Sequence, residues 1–390
     1  MDEDCPICLE KLSKSYCSKE ICFTCKNFFC KKCLYPENFK RIDTCPCCRT
    51  SLGVLDKDII EKCSKIIEEK DYPHIGYIFF ILGSTYYRMG DGEKSLEYLK
   101  KAADKKVSCA YNFLEDYYNE GKFVEKNILI SNRYFELALE NHCSAALYKQ
   151  AIIEFVFSNL DRGMSLMKEA AELGLPKAEY SLANYGLLYN NLSREKCLVL
   201  LNNSFKKGYI KAGLDLGSIY YYGFYDVPVD KHKAIEYYLG SVELGSIEAA
   251  LYLGKHYFDL EDYYTASKWY KFCLDEGDNI ASVMLSKCFL NMAEDLGFFM
   301  VDEAVKILKS AIEKNYAPAY FELGNLYFSG HRFYLPDYKN AFKYMKKASD
   351  LKYYPAYYML SVFYKLGVGT DIDEELSKDF YRLYDINHVD

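Results

Sequence analysis

Nine times between Ile78 and Tyr364 the chain returns to one short pattern, a small residue, a Leu four positions on, and an aromatic four beyond that. The first position is Ile78, then Ala110, Ala145, Ala178, Ala212, Ala249, Ala281, Ala319 and Ala356. Five residues after each stands an anchor, Gly83, Glu115, Gln150, Ala183, Gly217, Gly254, Ser286, Gly324 and Ser361, at spacings of 32 to 38 residues. Leu precedes every anchor except the third, where Lys149 stands, and an aromatic follows three residues later in all but the third and fourth units. A spacing of four puts these residues on one stripe of a helix, and a period near 35 means that each unit is a supersecondary element stacked on its neighbours.

A second helix follows in each unit. It carries two small residues seven apart, two helical turns, so that one face offers two notches to a neighbouring helix. The pairs are Ser95/Ala102, Ser131/Ala138, Gly163/Ala170, Cys197/Ser204, Ala234/Ser241, Ala266/Cys273, Ala304/Ala311 and Ala341/Ala348. Large residues between them, among them Tyr98, Tyr237, Trp269 and Tyr344, are expected as knobs in the core between repeats. Gly174, Gly208, Gly245, Gly277 and Asn315 are expected to end these helices as left-handed caps. Because each unit buries its face only on its neighbours, the array should be an extended, curved superhelix. The last unit, 355–390, loses the small pair, and Glu374, Ser377 and Lys378 make its second helix more polar, as a capping unit requires.

Composition narrows the function classes. Half of the 390 residues are apolar and 27% are charged, which a folded chain has and a disordered one lacks. Forty-nine Lys and Arg against 56 Asp and Glu leave a net charge of −7, so nucleic acid is not expected as a partner. The opening MDEDCPICLE is acidic where a secretory signal is basic, and no apolar run approaches the ~20 residues of a membrane span. The expectation is a soluble cytoplasmic protein with no membrane partner, and nothing in the sequence bars the nucleus.

The cysteines divide the chain. Ten of 16 fall between Cys5 and Cys48, while Cys63, Cys109, Cys143, Cys197, Cys273 and Cys288 are scattered singly. The cluster contains four C-x2-C knuckles: Cys5/Cys8, Cys22/Cys25, Cys30/Cys33 and Cys45/Cys48. In a reducing compartment such thiols are metal ligands, and two knuckles complete the tetrahedral sphere of a structural zinc. Two zinc ions are therefore expected. A segment of ~50 residues buries too little apolar surface to fold alone, and zinc binding, worth ~10–16 kcal/mol in finger peptides, supplies the difference. No His precedes His74, so every ligand is sulfur; Cys17 and Cys47 are surplus, and either can exchange with a neighbour, Cys17 for Cys22 or Cys47 for Cys48. Residues 1–53 hold nine Lys or Arg against seven Asp or Glu, an excess that eight thiolates on two zinc ions more than offset.

The order Cys5-Pro6-Ile7-Cys8, a 13-residue gap, two close knuckles, an 11-residue gap and Cys45-Pro46-Cys47-Cys48-Arg49 resembles an all-cysteine RING finger. The resemblance covers residues 4 to about 53 and is specific, since the CPIC opening and CPxCR ending set it apart from FYVE, PHD and MYND modules. It implies a cross-brace, with Cys5, Cys8, Cys30 and Cys33 on one zinc and Cys22, Cys25, Cys45 and Cys48 on the other. It also implies a ubiquitin-conjugating enzyme and ubiquitin as partners, held in a reactive geometry without a covalent intermediate on this chain. Ile7 and Pro46 match the apolar contacts to that enzyme, and Arg49 matches the cationic linchpin that positions ubiquitin. Many active members carry a Trp between the sixth and seventh ligands; Leu34 to Thr44 has none, and Tyr35 and Phe39 are the aromatics available to stand in.

Residues 75–390 resemble Sel1-like repeats, short relatives of tetratricopeptide repeats. That family generally binds proteins, so a protein substrate or adaptor is expected on the array. The fold class is thus mainly α, a small two-zinc cross-brace RING-like domain (1–53), a linker or capping helix (54–74) read from Leu55, Ile59, Ile60, Cys63, Ile66 and Ile67, and an α-solenoid of about nine helix-pair repeats. No phosphate-binding loop, G-x-S-x-G elbow or H-E-x-x-H pair occurs, and Gly367-Val368-Gly369 reads as a loop. The run Tyr220 to Tyr225 is either a partner hot spot or ordinary stacking between repeats. Two functions follow: a RING-type ubiquitin ligase whose repeats recruit a substrate, or a non-catalytic zinc-containing scaffold. A secretion-pathway adaptor, by analogy with other repeat proteins of this kind, is disfavoured by the missing signal and membrane segment.

Overall fold

The computed structural model describes residues 19–21, 28–30, 56–68, 74–189 and 191–388. They fall in two compact units, Met1–Ala234 and Ile235–Asp390. In the first unit β1 (Lys19–Ile21) pairs antiparallel with β2 (Phe28–Cys30), Lys19 opposite Cys30. Helix α1 (Asp56–Glu68) follows, then α2 (Ile75–Met89) with α3 (Gly92–Asp104), α4 (Ser108–Glu120) with α5 (Ile128–Glu140), α6 (Ser144–Val156) with α7 (Leu160–Glu172), and α8 (Pro176–Tyr189) with α9 (Arg194–Lys206). Helix α10 (Ile210–Tyr222) completes the series, and the unit boundary falls within α11 (Lys231–Glu243). The second unit continues with α12 (Ile247–Asp259) and α13 (Tyr263–Asp275), α14 (Ile280–Leu296) and α15 (Phe298–Glu313), α16 (Ala317–Ser329) and α17 (Tyr338–Asp350), and α18 (Tyr354–Leu366) with α19 (Glu374–His388). Within the first unit each helix from α2 to α10, and within the second each from α13 to α19, packs on the one before it in chain order, the nearest-neighbour arrangement that a repeat array requires.

The stripe is the core. Every Leu that precedes an anchor is buried, and both members of all eight small pairs are buried too. The third unit is displaced by one residue from the sequence alignment. Ala146, fully buried, occupies the first position instead of the half-buried Ala145, and Ala151 is the anchor instead of Gln150. The small anchors have a steric cause. A Cβ on Gly83 would sit 2.7 Å from Leu99 Cγ, and one on Gly254 would sit 2.8 Å from the Tyr270 ring. Leu99 and Tyr270 lie four residues after the first small residue of their helices, and Met167, Leu201, Tyr238, Leu308 and Met345 are buried at the same position of theirs. The aromatics one position earlier do something else. Tyr98 stacks on Tyr86 (5.7 Å, 6°), Tyr134 on Tyr118 (5.9 Å, 15°) and Tyr344 on Tyr327 (5.5 Å, 2°), joining the two helices of one repeat, while Trp269 and Tyr344 also pack, as expected, against core clusters that span two repeats.

The turns also repeat. Gly174, Gly208, Gly245, Gly277 and Asn315 all take positive φ, as expected of left-handed caps, and Lys106, His142 and Lys352 do the same in units that lack Gly or Asn there. The next N–H closes the turn on the carbonyl of the second small residue, Val107 on Ala102 at 3.1 Å and Tyr353 on Ala348 at 3.0 Å. A left-handed conformation costs a side-chain-bearing residue about 1–2 kcal/mol, so Lys352→Gly, at an exposed site, is expected to raise stability by roughly 0.5–1 kcal/mol after glycine's unfolded-state entropy is deducted. A urea midpoint that stays put or falls would contradict this account of the turn. At the other end of the second helices Asp91, Asn127, Ser193, Asp262 and Asp337 accept N-cap bonds from the backbone. The bond from the Thr265 N–H holds the Asp262 carboxyl below the usual carboxylate range.

Both ends of the array differ from the middle. Helix α1 buries Cys63 and Ile66 against Tyr77, Ile78 and Leu82 of the first repeat. In the last unit Ser377 keeps the first notch, donating to the Ser361 carbonyl at 2.8 Å as Ser95 does to Gly83 at 2.7 Å. The second notch is filled by Tyr384. The expected polar cap is only partly polar, because Leu376, Tyr381, Leu383 and Ile386 of α19 stay exposed.

Candidate protein-interaction surface

Cys5, Cys8, Cys22, Cys25, Cys33, Cys45, Cys48, Ile7, Tyr35, Phe39, Pro46 and Arg49 lie outside the described residues. Cys30 ends β2, and the six residues that join β1 to β2 carry Cys22 and Cys25. Among the described residues no group of three or more His, Cys, Asp or Glu side chains is placed to hold a metal, and no helix is long and apolar enough to cross a membrane. Five of the six later cysteines are packing residues. Cys63, Cys143, Cys197, Cys273 and Cys288 are buried free thiols, and burial pushes Cys273 up to about 11 and Cys63 and Cys288 up to about 12, far from thiolate reactivity.

The first unit carries an apolar edge. The turns from each first helix to its second helix lie along one side of an array of antiparallel pairs, and there the large apolar side chains are left in solvent. Leu129 (83% exposed), Val156, Phe157 (78%), Leu160, Leu188, Tyr189, Phe224 and Tyr225 all occupy this side. Neighbouring repeats touch along it, Phe155 stacking on Tyr185 at 6.1 Å, and Tyr185 meets Tyr189 of its own helix at 4.5 Å. Helix α1 begins at the same side, since Asp56 at its first position pairs with Arg88 in the last turn of α2 at 2.6 Å.

The tyrosine run after Asp215 divides in two. Tyr220 and Tyr221 are half-buried, with Lys233 4.1 Å over the Tyr220 ring and Lys231 5.4 Å over that of Tyr221. Phe224 and Tyr225 stand in solvent on a loop where Gly223, Tyr225 and Asp226 all have positive φ (73, 56 and 56°). Arg194, at the start of α9, holds that loop through the Asp226 carbonyl (3.1 Å) and carboxylate (3.6 Å). Two successive left-handed side-chain-bearing residues store strain that the clamp sustains. The loop walls a groove of about 260 Å3 between α8 and α10, lined by Asn184, Leu188, Asp215, Ser218, Ile219, Phe224 and Tyr225. On its floor Asn184 donates to Asp215 at 3.2 Å. Burial, and then the Asp215 carboxylate, pushes the nearby Tyr180 phenol above its ordinary value.

Six segments, 82–107, 116–143, 146–175, 211–246, 317–353 and 355–383, match the Sel1 repeat. The chain carries Sel1 repeats. Among solved structures, a protective antigen of uropathogenic Escherichia coli displaying an SLR fold is similar at a TM-score of 0.57 and 21% identity, over 84% of this chain and 71% of that one. A Sel1 repeat protein from Oxalobacter formigenes is 20% identical over 60% of this chain and 98% of its own, with a TM-score of 0.47. No curated protein matches the sequence. The likeness is one of fold, a Sel1 and tetratricopeptide-like helical solenoid.

Within the Sel1 array two part-buried lysines pair with carboxylates in a way that escaped the sequence reading. Lys149 on α6 reaches back to Glu115 and, at 2.7 Å, to Asp116 on α4, tying one repeat to the next. Lys207, just past α9, pairs with Glu179 on α8 at 2.7 Å and donates to the Gly174 carbonyl at 3.3 Å. Burial raises both carboxyls above the ordinary range although each lysine pulls the other way. The partners lie 28 to 34 residues apart, and a polar letter inside an apolar stripe was their single trace in the sequence.

Proposed function

We propose that this chain is a RING-type ubiquitin-protein ligase that docks a ubiquitin-conjugating enzyme on its N-terminal cysteine module and holds a protein substrate or adaptor on its Sel1 repeats. The observation that carries the reading is the eight-cysteine spacing that ends in Cys48-Arg49. Its donor set, thiolate throughout and in pairs two residues apart, suits tetrahedral zinc, with Cys5, Cys8, Cys30 and Cys33 holding one ion and Cys22, Cys25, Cys45 and Cys48 the other. Zinc supplies folding energy there and no Lewis-acid step. Ile7 and Pro46 present an apolar contact to the conjugating enzyme, with Tyr35 and Phe39 beside them. Arg49, a planar fork of donors, bridges that enzyme and ubiquitin, so the acceleration comes from orientation of a bound partner. The apolar edge of the first unit supports the second half of the reading. It offers Phe157, Leu188, Phe224 and Tyr225 to a protein partner on the side where α1 begins, and α1 follows the cysteine module in the chain.

The test is single-turnover discharge of ubiquitin from a panel of conjugating enzymes, with bound zinc measured beforehand. Wild type is expected to accelerate discharge from at least one, and Arg49→Ala to lose about tenfold or more of that rate with both zinc ions retained. The absence of a Trp between Leu34 and Thr44 favours a second reading, a zinc-containing scaffold without ligase activity. Protein that holds two zinc ions and discharges no enzyme of the panel would establish that reading instead.

A further inference from the structure

A groove of about 550 Å3 lies between α18 and α19 in the second unit. Each helix contributes one face, with residues spaced by three and four, so the groove is an ordered product of the helix pair. Its charges are one-sided. Lys365, Lys378 and Arg382 line it against the single carboxylate of Glu374. Among the described residues Lys365 and Lys378 have no ion pair, and Arg382 has one, to Asp379 at 3.4 Å, too exposed to neutralise it. Tyr358 and Tyr381 stand about half exposed at 45% and 53%, with Val362 beside them.

The sign is local to this site. The chain as a whole carries −7, and the other large groove of the same unit, about 670 Å3, sets Glu248, Glu276 and Asp278 against Lys255. Three cations close together on an acidic protein raise its local field, and nothing in the packing of α18 on α19 needs them.

We propose that this groove binds an acidic peptide segment of a protein partner, with Lys365, Lys378 and Arg382 taking its carboxylates while Tyr358, Val362 and Tyr381 receive one apolar side chain. The two requirements act together, since the cations select acidic sequence and the rings provide amphipathic contact area at low entropic cost. The inference deepens, and rests on, the reading of the repeats as a protein-binding array. Ubiquitin discharge reads only the cysteine module, so the two can fail separately.

The test uses the full zinc-loaded chain and an array of 12-residue peptides of Asp and Glu carrying one Phe, Tyr, Leu or Trp at each position. A matched array of Lys and Arg peptides is the control, and the best binder is titrated by fluorescence polarisation. Acidic peptides are expected to bind in preference to basic ones, more weakly when the apolar residue is replaced by Ser. The double variant Lys378→Glu, Arg382→Glu should lose about tenfold or more in affinity, and raising salt from 50 to 300 mM should weaken wild-type binding several-fold. Both side chains are exposed, so an unchanged thermal melt is expected to accompany the loss. Affinity unchanged in the double variant would overturn the proposal, as would equal binding of the two arrays or of a single-stranded RNA of the same charge. Self-association that the same substitutions abolish would assign the groove to a second copy of the chain and overturn it too.

Discussion

Lys207→Met is expected to cost the first unit about 3–5 kcal/mol at neutral pH, because it strands the buried Glu179 carboxylate. Glu179 is 7% exposed and its Oε2 has no hydrogen-bond partner among the described residues, so the 2.7 Å contact to Lys207 is its main compensation. Burial already pushes this carboxyl above the ordinary range, and without the lysine it rises further. The pH dependence has a definite sign. Between the unfolded value near ~4.3 and the raised folded value the fold holds more protons than the unfolded chain, so stability increases as pH falls through that window. The deficit of Lys207→Met should therefore shrink on going from pH 7 toward pH 5. Replacing both partners, Glu179→Leu with Lys207→Met, should come out near neutral, since no charge is left behind. Urea midpoints of the three proteins at two pH values check this. A single-variant loss under about 1 kcal/mol, or one that does not change with pH, would mean that water reaches the carboxylate.

Stripping zinc is expected to abolish ubiquitin discharge altogether while leaving the helical signal nearly intact. On the proposed reading a module of ~50 residues needs metal to fold, and the ~10–16 kcal/mol seen for structural zinc in small peptides exceeds what any single packing change in the repeats can remove. The repeats have cores of their own, such as Leu99 to Ala146 in the first unit and Ala341 to Phe363 in the second, and none contains a metal-ligating cluster among the described residues. Two zinc ions per chain should leave on chelation, far-UV circular dichroism should fall only slightly, and zinc restored at two equivalents should return activity. Discharge that survives complete chelation would sever the activity from the module. Loss of most of the helical signal would show that the repeats depend on it.

Which parts of this were legible beforehand follows from the range of the forces involved. The Ala and Leu stripe, the small pairs and the glycine caps are repeated local patterns, and helix geometry alone turns a spacing of four or seven into a buried face. The amphipathic face of α1 was legible for the same reason. The third repeat shows the limit. Ala145 and Ala146 are equivalent letters, and only the neighbouring helices decide that Ala146 is buried and Ala151 is the anchor. Tyr98 and Leu99 are likewise both large and adjacent; one stacks on Tyr86 within its repeat and the other fills the space left by Gly83. The left-handed turns at Lys106, His142 and Lys352 carry no glycine to announce them. The exposed edge was hidden for a related reason, since Phe157 and Leu188 look no different in sequence from residues of the core. Periodicity thus specified the repeat, its helices and the face each buries, because those depend on neighbours within a few residues along the chain. The choice among adjacent apolar residues, the Glu179–Lys207 pair and the charge of the α18–α19 groove were settled by tertiary packing, because each depends on side chains from separate helices meeting at atomic distance.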